Sequence, residues 1–428
     1  MAAPQISPAR ADQFFTHRLP NGLLLLGQRM PDLESVSLCY YVRTGARDES
    51  DPALYGVSHF LEHMVFKGTE RRDSDQITLD FNLMGAEFNA FTSLEQTVFY
   101  ARVLHEYLPQ AVDLLSDLMR PTLDESDFNM ERNVILEEIA RAEDVPTSQA
   151  YRRLMQTYFA GTPMGHDVLG SKDSIRDMAV EGMRAYHARR YAANNLIFAI
   201  AGAFEWDQVV ELVERHCGAW AGGEEGRAAA EIIPTKPGAT VIVKPQQKQQ
   251  MILIASPSVS IQDNDLYAAQ LAAMVLGDGT GSRLFWNIFQ KGLAESAHAS
   301  LSPFDSTGLL LTFLSTTPEH APAVLELAQA ELRGLQEDGI QEDELRRAKD
   351  KLISRTVLDG DSAFSRMQDL AYTWVAEGAV RSIQDEMDRI EAVTLADVRR
   401  VLDRYPAAAS QVITAYGPLE AAALGVEA

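Results

Sequence analysis

The 428-residue chain carries two copies of one pattern, and this duplication limits its fold more than any single motif does. The run His105-Glu106-Tyr107-Leu108-Pro109-Gln110-Ala111-Val112-Asp113-Leu114-Leu115 has a counterpart in Pro318-Glu319-His320-Ala321-Pro322-Ala323-Val324-Leu325-Glu326-Leu327. Arg190-Tyr191-Ala192-Ala193 recurs as Arg404-Tyr405-Pro406-Ala407, and the segment ending at Ala201-Gly202 recurs as one ending at Tyr416-Gly417, an offset of about 214 residues. Each copy opens with alternating segments, such as Leu23 to Gln28 and Val36 to Arg43 in the first. A helix, a strand pair, long amphipathic helices and a closing strand follow. The pattern predicts an α+β protein of two tandem homologous domains, each an antiparallel-rich sheet with helices packed on one face. Between the copies, Gly222-Gly223-Glu224-Glu225-Gly226-Arg227-Ala228-Ala229-Ala230, then Pro234 and Pro237, reads as a linker. The expected division is 1–222, a linker at 223–237, and 238–428.

Only the first copy carries the residues of a metal site. His59-Phe60-Leu61-Glu62-His63 lies in a stretch whose apolar positions Val57, Phe60, Leu61, Met64 and Val65 recur at helical spacing, with Gly68 as a stop. On a helix, residues three and four apart share a face, so His59, Glu62 and His63 project together. Imidazoles suit Zn²⁺, which takes about four tetrahedral ligands and in hydrolytic sites leaves one place for water. Glu62, between two coordinating rings, is placed to take a proton from that water. A third ligand is still required.

The segment from Asp127 to Arg141 offers the best donors. Glu131, Val134, Ile135 and Glu138 fall at i, i+3, i+4 and i+7, so two carboxylates share a helix face with apolar residues. An inward carboxylate is costly unless it is paired or binds a metal. Glu138 is expected as the third ligand and Glu131 as a supporting hydrogen-bond partner of a ligand. Glu137 turns away from that face. Transferring the motif across the repeat sets Met274, Gly277 and Asp278 opposite His59, Glu62 and His63, so the second copy is expected to hold no metal. Gly277-Asp278-Gly279-Thr280-Gly281 lacks the lysine of a phosphate loop and reads as a turn.

On these residues the chain resembles the inverted-motif zinc peptidases of the pitrilysin and insulinase type, which include the mitochondrial processing peptidase. Their wording is His-x-x-Glu-His followed some seventy residues later by Glu-x₆-Glu, matched here by His59 to His63 and Glu131 to Glu138. Further matches are Leu19-Pro20-Asn21-Gly22-Leu23, His63-Met64-Val65-Phe66-Lys67-Gly68-Thr69, Asn89-Ala90-Phe91-Thr92-Ser93, Glu95-Gln96-Thr97 and Gly281-Ser282-Arg283-Leu284-Phe285. The resemblance implies a processing-peptidase-like fold and a zinc endopeptidase whose N-terminal domain holds the metal. It also implies a strand edge at Asn89, Ala90 and Phe91 that aligns the substrate backbone. Phe88, Phe91, Phe99 and Tyr100 lie at strand spacing, which fits core better than substrate subsites.

The chain departs from the family in its second half. Many active members carry an arginine and, seven residues on, a tyrosine that reach the substrate, in wording like Ile-Arg-Glu-Lys-Arg-Gly-Leu-Ala-Tyr. Here Ile288-Phe289-Gln290-Lys291-Gly292-Leu293-Ala294-Glu295 stands instead, one residue shorter. Phenylalanine and glutamate supply neither a donor fork nor a phenol. The resemblance therefore implies a bacterial heterodimer in which a related subunit brings the arginine and tyrosine. Two other readings share the motif: a non-catalytic scaffold subunit, as in respiratory relatives, and a zinc hydrolase of non-peptide substrates.

Composition excludes several partners. A formal charge of −23 and a pI near 4.8 disfavour nucleic acid and anionic membranes, while 46% hydrophobic content supports a large core in about two domains. Cys39 and Cys217 are too few for a disulfide framework and are expected as buried thiols. No run is long enough to cross a bilayer, and the first residues lack the parts of a signal peptide. The expectation is a soluble, cytoplasmic protein, or a periplasmic one if Ala2-Ala3 is the remnant of a cleaved leader.

Overall fold

The duplication is visible in the strand order of a computed structural model, which describes residues 13–223, 226–227 and 236–427. The first sheet contains β1 (Gln13–Arg18), β2 (Leu24–Arg29), β3 (Ser35–Val42), β4 (Glu87–Thr92), β5 (Thr97–Leu104) and β6 (Leu196–Gly202), in the order β1-β2-β6-β3-β5-β4. The second contains β7 (Gly238–Val243), β8 (Gln250–Pro257), β9 (Ser296–Phe304), β10 (Thr307–Thr316) and β11 (Val412–Gly417), in the order β7-β11-β8-β10-β9. Apart from β1 the two orders are the same. In each, the closing strand runs parallel to the opening one and antiparallel to the next. The strand expectations at Leu23 to Gln28 and Val36 to Arg43 fall within one residue of β2 and β3.

Five helices of the first half matter for the site: α1 (Val57–Val65), α2 (Ser74–Leu83), α3 (Leu108–Leu118), α4 (Glu125–Asp144) and α5 (Pro146–Tyr158). The chain folds as two units. The first takes residues up to Val134, then Val168 into the 220s, then Leu358–Ile383; the second takes Ile135–Asp167, the chain from the 230s to Val357, and Gln384 onward. The units therefore do not follow the chain order expected from the repeat, because each half lends one segment to the other unit. In the first unit, helix Ala363–Glu377 packs on β2, β3 and β6; in the second, α5 packs on the corresponding β8 and β11. These two helices occupy equivalent places in the repeat.

That exchange explains the composition of the strands. One face of the first sheet meets α1 and α3, and the other buries Leu24, Leu26, Cys39, Tyr41, Val98, Ile197, Ala199 and Ala201 against Ala363, Met367, Leu370 and Ala371. Both faces are covered, so β3 and β6 read as nearly unbroken apolar runs instead of alternating ones. Arg366, 1% exposed, fastens the helix by donating to Gln28 Oε1 and the Arg381 carbonyl, each at 2.8 Å. Cys39 and Cys217 are buried free thiols, as expected, and burial pushes them up to about 12 and about 11.

Of the expected linker, 224–225 and 228–235 lie outside the described residues, as do Ala2 and Ala3. The described part is docked on the first unit. Gly223 N–H donates to Asn194 Oδ1 at 2.8 Å, Arg190 donates to the Gly226 carbonyl at 2.8 Å, and Arg227 makes a two-pronged contact with Asp48 at 2.8 Å. No helix among the described residues is long and apolar enough to cross a membrane.

Candidate metal centre

The motif helix α1 is packed as its spacing predicts: Val57, Phe60, Leu61, Met64 and Val65 are all buried. Its start is fixed from outside. Gly56, at φ 92°, has no room for a Cβ, which would sit 2.8 Å from the Leu169 carbonyl oxygen. The two oxygens of buried Glu49 accept the N–H groups of Gly56 (2.7 Å) and Ser58 (2.8 Å), satisfying the open end of the helix. Burial raises the Glu49 carboxyl to about 8 in spite of those bonds. Phe60 stacks on Phe128 of α4 with ring centres 4.5 Å apart, which sets α4 against α1 one turn before Glu131.

From this packing the donors converge. One ligand atom each from His59, His63 and Glu138 lie within 4.8 Å of one another, the only such group of three or more among the described residues. A tetrahedral ion with bonds near 2.1 Å needs ligand atoms roughly 3.4 Å apart, so side-chain adjustment suffices. Burial, then the neighbouring His63 ring, lowers His59 to about 4 against the pull of Glu131, so the imidazole is neutral and has a lone pair to offer. His63 Nδ1 is 2.8 Å from Glu131 Oε1, which fixes the tautomer and leaves Nε2 as the donor. Glu131 is 5% exposed; burial alone would raise its carboxyl, but the bonds to His63 and Lys67 outweigh that and hold it below the usual range. Lys67 Nζ reaches its other oxygen at 2.6 Å. The donor set, two imidazole nitrogens and one carboxylate, fits Zn²⁺.

Glu131 and Glu138 ride on one unbroken helix, two turns apart, as their spacing requires. Glu137 is exposed and pairs with Arg141. Val134 departs from expectation: it is 48% exposed, while Ile135 is fully buried. Glu62 accepts a hydrogen bond from Thr92 Oγ1 at 2.5 Å. Asn89 and Ala90 lie on β4, an edge strand, with Asn89 exposed and its Oδ1 accepting the Ala90 N–H at 2.9 Å. Phe91 is half-buried and packs against the cluster under helix Ala363–Glu377. Phe88 stacks on Phe81, Phe99 is buried, and Tyr100 faces Phe364, which also makes them packing residues. Glu49, Lys67 and Thr92 have roles that the sequence reading did not assign. Lys67 and Thr92 sit in stretches quoted for the resemblance, but only tertiary approach gives them partners.

In the second unit, Asp278 pairs with Lys351 at 2.9 Å and Arg355 at 3.0 Å, on a helix placed like α4. The Asp278 carboxylate is thus held by two cations of one helix. Phe289 is 44% exposed and stacks on Phe285, and Glu295 accepts from Gln249.

A duplicated α+β chain in which two imidazoles and a carboxylate of one copy converge is a candidate metal-binding protein by fold and site. The family model described as Insulinase (Peptidase family M16) matches residues 26–172, and Peptidase M16 inactive domain matches 177–352. An uncharacterized zinc protease of Streptomyces coelicolor is 32% identical over 415 residues, covering 94% of this chain and 89% of the relative. Among solved structures, a protease from Helicobacter pylori superposes with a TM-score of 0.88 at 20% identity, covering 95% of this chain and 99% of the other. A chain of complex III2 from Candida albicans does so at 0.83 and 17%, covering 95% and 96%. The chain is a member of the M16, or insulinase, peptidase family.

Proposed function

We propose that this chain is a zinc-dependent endopeptidase acting on extended peptides, with His59, His63 and Glu138 as metal ligands and Glu62 as general base. The observation that carries the reading is the convergence of those three donors with Glu62 on the same turn of α1. When bound, Zn²⁺ would polarise the scissile carbonyl and lower the pKa of a water to about 7. Glu62 takes the proton of the attacking water and returns it to the leaving amine nitrogen. Glu131 holds His63 in the tautomer that coordinates, and Lys67 balances its charge. The edge strand β4 at Asn89, Ala90 and Phe91 would align an extended substrate through its main chain, the Ala90 N–H exchanging its bond to Asn89 Oδ1 for one to the substrate.

We further infer that a related subunit supplies a cationic fork and a phenol, because Phe289 and Glu295 provide neither. The second reading is a non-catalytic scaffold subunit, and the same fold occurs in a chain of complex III2 from Candida albicans. The intact donor set favours catalysis over that reading. The test is Glu62→Gln: zinc content should stay at one per chain while turnover of an internally quenched peptide, measured alone and with the related subunit, falls at least about 100-fold. A Gln variant that cleaves at the wild-type rate removes Glu62 from the mechanism.

A further inference from the structure

We propose that Thr92 is the positioning residue for Glu62, its hydroxyl holding the carboxylate in the orientation from which it works. This rests on the general-base reading of Glu62. Thr92 Oγ1 lies 2.5 Å from Glu62 Oε2 and 3.5 Å from Thr97 Oγ1. A hydroxyl has one hydrogen to give, and the nearer, anionic acceptor takes it. Thr97 does not compete for Glu62, because its own hydrogen goes to the Thr44 carbonyl at 3.1 Å. One oxygen of Glu62 is thereby tied to the sheet, which sets the plane of the carboxylate.

The mount of this donor is rigid. Thr92 is the last residue of β4, and the turn that follows closes with Ser93 N–H donating to the Gln96 carbonyl at 2.8 Å. The turn is clamped against the segment 45–48: Ala46 N–H donates to Ser93 O at 3.2 Å, Arg47 N–H to Leu94 O at 2.8 Å, and the Arg47 side chain pairs with Glu95 at 2.5 Å. Gly45 makes the clamp possible, since a Cβ there would lie 2.4 Å from the Ser93 oxygen. On the other side, Gln96 donates to Tyr372 at 2.8 Å. None of these contacts is needed to fill an edge strand, where valine would serve as well as threonine. What threonine adds is the hydrogen bond.

Thr92→Val keeps the shape and strand preference of the residue and removes only the donor, so it isolates the effect. With an internally quenched peptide as substrate, assayed alone and with the related subunit, kcat should fall about 10- to 100-fold, with KM within about twofold and zinc content unchanged. Thr92→Ser should recover most of the loss. A crystal structure of metal-free Thr92→Val should show the Glu62 carboxylate turned from its present place or split between rotamers. In a Glu62→Gln background the valine substitution should cost nothing further, because Thr92 acts through Glu62. Unchanged kcat in Thr92→Val, or an equal loss in both backgrounds, overturns the proposal. Full activity of Glu62→Gln alone would instead overturn the base assignment, so the two failures are told apart.

Discussion

A buried carboxylate between a histidine and a lysine decides how His63 presents itself. Without the Glu131 anion the ring keeps only a neutral amide oxygen as acceptor and Lys67 loses its counter-charge, and Glu131→Gln should weaken zinc binding about 10- to 100-fold in chelator competition. An unchanged affinity would reduce Glu131 to packing. Away from the site, burial, then Arg120, lowers His187 to about 4 against its hydrogen bond to the Met119 carbonyl. Its folded pKa lies below the unfolded value near 6.5, so the unfolded chain takes up a proton that the fold refuses. Stability falls as pH drops from about 6.5 to about 4, by up to about 3 kcal/mol from this residue. Urea denaturation of metal-free protein at pH 7 and pH 4.5 should show a smaller acid loss for His187→Gln than for wild type; equal losses would refute this. At this scale the sequence is most legible where function needs fixed spacing on one helix. His59, Glu62 and His63 share a turn of α1, and Glu131 and Glu138 share α4, so periodicity finds them. Thr92, Lys67 and Glu49 act across elements, and no local pattern marks a residue for a partner that folding brings to it.

Among elements, the exchanged helices are what chain order hides. The amphipathic pattern of Ala363–Glu377 says that one face is apolar and is silent about which sheet will cover it. The choice is made by fitted contacts, chief among them the buried Arg366. Arg366→Ala removes the donor to Gln28 and Arg381 and opens a void beneath the first sheet, and should cost about 3 kcal/mol in denaturant unfolding. A loss under about 0.5 kcal/mol would mean that apolar contacts alone hold the helix. The strands were easier to read. Those flanking the motif are set by runs of buried residues bounded by turns, and they fall within a residue of expectation. Coverage of the first sheet's second face could not be read, because a strand buried on both sides loses the alternation that assigns faces.

For the whole molecule, duplication has left two copies of one sheet order with different chemistry: carboxylates and imidazoles in the first, an Asp278, Lys351 and Arg355 cluster in the second. The proposed function therefore predicts one metal per chain. The negative net charge favours extended, cationic peptides over nucleic acid as visitors, and the missing arginine and tyrosine make a related subunit part of the working enzyme in this reading. Anomalous diffraction at the zinc edge, from crystals of protein purified without chelators, tests the central assignment most directly. The expected result is a single peak about 2.1 Å from a nitrogen of His59, a nitrogen of His63 and an oxygen of Glu138. An active protein with no peak there, or a peak whose third ligand is not Glu138, would contradict it.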